Sequence, residues 1–177
     1  DGIAQSYFEY LKIPYTHSGV ISSYNAMNKI ISKEIFIKNK IKTPKFFLVN
    51  KKFFNIKKIK KNMANKKLHF PIVVKPISEG SSIGVKICKN YKILIKETEI
   101  LFKKYNQLIF EEYIKGQEIQ VAVINGKALG GIELVPKRLF YDYKAKYTKE
   151  AKTEHIMPAK LNKKKYKEVL KIAKKTH

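Results

Sequence analysis

The 177 residues make one domain or two small ones, and 44% apolar with 29% charged residues permit a packed core and exclude wholesale disorder. No apolar run approaches the roughly 18 residues that cross a bilayer, and no charged-then-apolar leader opens the chain, so neither a membrane-spanning nor a secreted protein is expected. Thirty-eight basic against 14 acidic residues give a net charge of +24, a balance that raises the question of polyanion binding.

Ile3, Tyr7 and Leu11 recur at helical spacing, and Pro14 ends that segment. Ser22 or Ser23 can cap a helix with Met27, Ile30, Ile31 and Ile35 on its apolar side, stopped by Thr43-Pro44. Phe46–Val49 reads as a short strand, and Phe53, Ile56, Ile59 and Met63 as a helix with a lysine-rich outer face. Pro71–Lys75 and Ile83–Cys88 are strand candidates, joined by the small, flexible stretch Ser78-Glu79-Gly80-Ser81-Ser82. A helix over Tyr91–Lys104 leads to a strand at Leu108–Glu112. Glu118–Ile124 and Ala128–Val135 are strands joined by Asn125-Gly126, a hairpin signal because both turn positions tolerate positive φ. Residues 136–158 read as a polar, tyrosine-rich loop, long enough that a functional role is expected. A last helix starts near Asn162 with Tyr166, Val169, Leu170 and Ala173 facing inward. The order is mixed helix and strand, an α/β (α+β) chain with mostly antiparallel strands. Asp1 is not an initiator methionine and the helical pattern runs up to His177, so the chain is expected to be a piece of a longer one.

The kind of basic residue argues against nucleic acid. Arg138 is the single arginine; the other 37 bases are lysine. Arginine supplies the planar fork that reads phosphates and bases, and a dedicated nucleic-acid binder rarely avoids it. Joint enrichment in Lys, Ile, Asn, Tyr and Phe fits an AT-rich coding bias, with lysines such as Lys57, Lys58, Lys60 and Lys61 on solvated faces. The single cysteine, Cys88, excludes an internal disulfide and a Cys-based zinc finger, suits a reducing compartment, and reads as a small buried hydrophobe.

Three places could carry chemistry. Lys75 ends an apolar strand and a glycine–serine loop follows it; a lysine buried there calls for an anion, and the loop offers backbone N–H groups to the same space. The pattern around Gly80 and Gly84 lacks the Gly-Lys-Ser/Thr of a P-loop, and a hairpin turn beside a snorkelling lysine is the plainer alternative. Glu111, Glu112 and Glu118 cluster in a chain poor in acids; they could accept from a ribose diol or an exocyclic amine, or simply balance lysines on neighbouring strands. Asp142, Lys146 and Tyr147 lie in the long loop, which could close over a site and exclude water, or rest on apolar neighbours. The histidines His17, His69, His155 and His177 show no metal-ligand spacing, and no Ser/His/Asp or Cys/His nucleophile can be argued.

Pro14-Tyr-Thr-His-Ser-Gly-Val20, Met27-Asn-Lys29 with Lys33, Phe70-Pro-Ile-Val-Val-Lys-Pro76, Glu79-Gly-Ser-Ser-Ile-Gly84, Phe110-Glu-Glu-Tyr-Ile114 with Gly116-Gln-Glu118, Phe140-Tyr-Asp-Tyr-Lys-Ala-Lys-Tyr147 and Pro158-Ala159 occur in this order. Together they resemble the D-alanine–D-alanine ligases, a family of the ATP-grasp superfamily, over nearly the whole chain. The resemblance implies two mixed α/β lobes clamping ATP. Residues 1–27 would end an N-terminal substrate domain, 28–114 form the central lobe and 115–177 begin the C-terminal lobe. It places Lys29 and Lys75 on the phosphates and the loop of Glu79, Gly80, Ser81, Ser82 and Gly84 over them. Glu111 would stand near the adenine amine beside Glu112, Ile114 would give a backbone contact to the ring, and Glu118 would hold the ribose. Ser81 and Tyr147 would position the first D-alanine, and Lys146 would reach the transferred phosphate.

Asn28 stands where the family usually has Asp, and His17 where it usually has Gly; these bear on the orientation of Lys29 and on the geometry of that turn. The resemblance also implies Mg²⁺ (or Mn²⁺) with its ligands beyond His177, a cytoplasmic homodimer, and a part in peptidoglycan synthesis. Another ATP-grasp carboxylate–amine ligase and a basic nucleic-acid-binding module are the competing readings.

Overall fold

The computed structural model describes residues 1–137, 146 and 153–177. The chain divides into two compact units, Asp1–Tyr113 and Ile114–His177.

In the first unit, β1 (Phe46–Asn50), β2 (Ile72–Pro76), β3 (Lys86–Cys88) and β4 (Gln107–Glu112) form an antiparallel sheet in the order β1-β4-β2-β3. Residues paired across a ladder share a face, and side chains alternate along each strand. Phe47, Val49, Ile72, Val74, Cys88, Leu108 and Phe110 therefore point one way, into the core, where Phe47 and Phe110 stack at 5.2 Å. Phe46, Val73, Lys75, Ile109 and Glu111 share the opposite face. Helix α4 (Ile56–Lys66) brings Ile59 and Met63 to the core, and α5 (Tyr91–Phe102) brings Leu94, Leu101 and Phe102. Asn55 and Asn90 cap these helices by accepting from backbone N–H groups in their first turns. Cys88 is fully buried at the end of β3, the place expected of a small hydrophobe.

Three expectations need correction. The single helix expected up to Thr43 is two, α2 (Val20–Met27) and α3 (Lys29–Lys38). Ser22 and Ser23 lie inside α2; the cap is Asn28, whose extended backbone breaks the helix while its side chain accepts from Ile30 N (3.0 Å) and Ile31 N (3.3 Å). Asparagine competes for backbone donors in this way, which is why it starts helices better than it continues them. The strand expected at Ile83 begins only at Lys86, because Ser81 (φ 50°), Ser82 (φ 62°) and Gly84 (φ 71°) are left-handed and cannot join a ladder. The long stretch 136–158 contains a third strand of the second unit, β7 (Glu154–Ile156), too short to show an alternation in sequence.

That unit is an antiparallel sheet in the order β5 (Glu118–Ile124), β6 (Lys127–Val135), β7. The β5–β6 hairpin turns at Asn125 (φ 49°) and Gly126 (φ 68°), the pair of positive φ values that matches strand twist. Helix α6 (Lys163–Thr176), capped by Asn162, packs on β5 and β6; the Tyr166 hydroxyl accepts from Gly131 N at 2.9 Å. Helix α1 (Ile3–Tyr10) opens the first unit.

Candidate active site

The site is built on the sheet face of the first unit that carries Lys75 and Glu111. Val73 pairs with Glu111 across β2 and β4, so Lys75, two residues along, lies diagonally beside that carboxylate. Lys75 Nζ bonds Glu111 Oε1, and Lys33 Nζ lies 3.0 Å from Glu111 Oε2. Glu111 is buried, at 7% exposure, and is clamped between two ammoniums. The plain alternative for this glutamate, charge balance with a lysine on the neighbouring strand, is thus part of the observed geometry.

Helix α3 supplies the other cations. Its first residue, Lys29, donates its backbone N–H to Ile77 O at 2.9 Å, while its ammonium reaches the carbonyls of Ile77 and Glu79 just beyond β2. Lys33 follows one turn later on the same side. Its ammonium also donates to Thr43 Oγ1 (2.7 Å) and Pro44 O (3.1 Å) and lies 4.9 Å from the centre of the Phe46 ring. Burial pushes the Lys29 pKa down, and the positive charge of Lys75 adds to the effect. Burial also lowers the Lys33 pKa, against the opposing pull of Glu111. Three lysines around Glu111, already in two ion pairs, and the nearby Glu79 leave an excess of positive charge in a partly desolvated place. Such an arrangement is favourable only toward an anion.

The loop beside them has its own anchors. Glu79 Oε1 accepts from the Tyr105 hydroxyl at 2.8 Å and lies 3.7 Å from Lys104 Nζ. Ile83 N donates to Gly80 O and Val85 N to Ser82 O, which folds the loop back on itself. At Gly84 a Cβ would stand 2.8 Å from Pro76 Cγ, so glycine is required there by contact as well as by φ. Gly80 has open space around it. A cavity of about 350 Å³, lined in part by Asn50, Ile77, Glu79 and Tyr105, adjoins the loop.

Of the expected site residues, the first unit brings together Lys29, Lys75, Glu79 and Glu111, with Gly80, Ser81, Ser82 and Gly84 in the adjoining loop. Glu112 is at the end of β4, where its backbone N–H donates to Lys45 O at 2.9 Å. In the second unit Ile114 is exposed and Glu118 opens β5; burial raises the Glu118 pKa and the charge of Lys146 opposes that rise. Asp142 and Tyr147 lie outside the described residues. Lys33, Thr43 and Tyr105 were not singled out as site residues. The one sequence signal for Lys33 was its one-turn spacing from Lys29; nothing in the sequence marks the other two. Among the described residues no three His, Cys, Asp or Glu side chains converge as metal ligands, and Glu111 is taken by lysines, so these residues do not fit a divalent ion.

The solved structures that match this fold are ligases of the ATP-grasp class. D-alanine–D-alanine ligase from Bacillus anthracis matches with TM-score 0.81 and 36% identity over 99% of this chain and 56% of that one. The structure of a D-alanine–D-alanine ligase from the same organism complexed with ATP matches with TM-score 0.72 and 32% identity, over 99% and 55%. In sequence, a D-alanine–D-alanine ligase of Pelagibacter ubique is 52% identical over 100% of this chain and 57% of its own length. The family model described as D-ala D-ala ligase C-terminus matches residues 35–177. The chain belongs to the D-alanine–D-alanine ligase family, and it spans a little over half the length of these relatives.

Proposed function

We propose that the chain is the nucleotide-handling part of an ATP-dependent ligase that joins two D-alanines for peptidoglycan synthesis. The observation that carries this reading is the excess of positive charge at the end of β2, where Lys29 and Lys75 stand beside the glycine–serine loop with Glu111 already engaged. The ammoniums of Lys29 and Lys75 hold the phosphates of ATP. The loop from Glu79 to Gly84 covers them with its backbone N–H groups. Glu111, followed by Glu112 at the end of β4, stands near the adenine amine, the Ile114 backbone meets the ring, and Glu118 takes the ribose. Ser81 and Tyr147 orient the first D-alanine, and Lys146 meets the transferred phosphoryl group.

In the first step a carboxylate oxygen of D-alanine forms a bond to the γ-phosphorus and the bond to the ADP oxygen breaks. The lysines offset the charge that spreads over the phosphoryl oxygens. The amine of the second D-alanine then attacks the acyl carbon and phosphate leaves. Acyl phosphates hydrolyse readily, so residues that exclude water from this carbon protect the product. Mg²⁺ or Mn²⁺ as partner of ATP, a homodimer and a cytoplasmic location belong to the same proposal. No helix among the described residues is long and apolar enough to cross a membrane.

The test uses a polypeptide of the relatives' length that contains these 177 residues. D-Alanine should accelerate ADP formation from ATP, and mass spectrometry should find D-alanyl-D-alanine. ADP formation indifferent to D-alanine, without dipeptide, would overturn the reading. A mixed product with D-serine or D-lactate alone would move it to another carboxylate ligase.

A further inference from the structure

Lys33 is held by the protein on three sides. Its ammonium donates to Thr43 Oγ1 at 2.7 Å and Pro44 O at 3.1 Å, and it stands 3.0 Å from Glu111 Oε2 as an ion pair. At 7% exposure it is as buried as Glu111 itself. Lys75 is different. Among the described residues Glu111 is its one polar partner, and its side chain is 19% exposed. The two lysines therefore divide one carboxylate unequally. One is buried and fixed between α3, the segment before β1, and β4; the other is more exposed and keeps donors to spare.

We infer that Lys33 is a positioning residue, which acts through Glu111 to hold Lys75 ready for a phosphate oxygen without touching the nucleotide itself. Lys33 binds one oxygen of Glu111 and so limits how far that carboxylate can turn toward Lys75. If Lys33 were neutral, Lys75 would be left as the one ion-pair partner of the buried carboxylate and would be drawn into it, because a buried charge that loses a partner is costly. Phosphate would then compete with Glu111 for Lys75. Burial lowers the Lys33 pKa, and the charge of Glu111 opposes that fall. The inference rests on the nucleotide reading above for its ligand, and on the ion-pair geometry alone for its effect on Lys75.

Two readouts separate these dependencies. The first is the rate at which Lys75 is acylated by an amine-reactive reagent, followed by peptide mass spectrometry without nucleotide. Relative to wild type, Lys33→Met should slow it several-fold, Glu111→Gln should speed it, and Lys33→Arg should leave it near wild type. The second is the Kd for ATP. Lys33→Met should raise it about 10-fold, the size of one charge-assisted hydrogen bond, and Lys33→Arg should stay within about threefold. The double variant Lys33→Met/Glu111→Gln, which removes both buried charges and guards against misfolding of the single variant, should bind no worse than Glu111→Gln alone. Coupled residues give such non-additive results. Lys33→Met with unchanged acylation, or with losses that add to those of Glu111→Gln, would overturn the positioning role. Acylation rates that shift as expected across the variants, together with a wild-type chain that binds no ATP, would uphold the coupling and overturn the nucleotide reading instead.

Discussion

Replacing Lys75 by alanine separates a local phosphate site from the general charge of a +24 protein. The substitution removes an ammonium whose protein partner is Glu111, but Glu111 keeps Lys33 at 3.0 Å. The carboxylate is not stripped bare, so the melting temperature should fall only modestly. The loss in nucleotide binding should be larger. A hydrogen bond to a charged group contributes on the order of 1.5–3 kcal/mol, and every ~1.4 kcal/mol is a factor of ten, so the Kd for ATP should rise roughly 10- to 150-fold. Lys61→Ala removes the same charge from the exposed face of α4 and should change the Kd by less than about twofold. Isothermal titration with ATP on both variants, with melting curves in parallel, makes the comparison. Equal losses in the two variants would mean that bulk electrostatics attracts the nucleotide and that the face of Lys75 and Glu111 is not its site.

Gly84→Ala meets a positive φ of 71° and a Pro76 Cγ contact of 2.8 Å, and should cost about 2 kcal/mol, seen as a melting temperature several degrees lower. Gly80→Ala, with open space and no positive φ, should leave it unchanged; equal shifts would refute this account of the loop. Cys88, fully buried with its thiol pKa pushed up to about 11 mainly by burial, should resist iodoacetamide at pH 8 until the chain unfolds. Because its folded pKa lies above the ordinary thiol value of 9.0, stability is unaffected well below pH 9 and falls as the pH rises from about 9 toward 11. Unfolding free energies of wild type should therefore converge toward, or drop below, those of Cys88→Ala across that window, and a constant difference would refute the cause assigned. If the net charge is a compositional by-product, duplex DNA should bind without sequence preference and dissociate by moderate salt, as a fluorescence-anisotropy salt titration would show.

Features that depend on near neighbours are legible in the chain. Helical spacing located α4 and α5, the Asn125-Gly126 pair located the β5–β6 turn, and Asn162 marked the start of α6, because each signal acts within a few residues of the chain. The sequence also marked Lys75, the loop after it and Glu111 as places for chemistry. The break at Asn28 was less legible, since an asparagine inside an apolar periodicity caps a helix only if the backbone there is extended. Tertiary structure alone decided what the charges do. The β2–β4 register sets Lys75 beside Glu111, and the seat of α3 against Thr43 and Pro44 aims Lys33 at the other oxygen of that carboxylate. Lys33 is one lysine among 37 in the sequence, and only burial makes it different, since an ammonium is held in one direction where water cannot satisfy it.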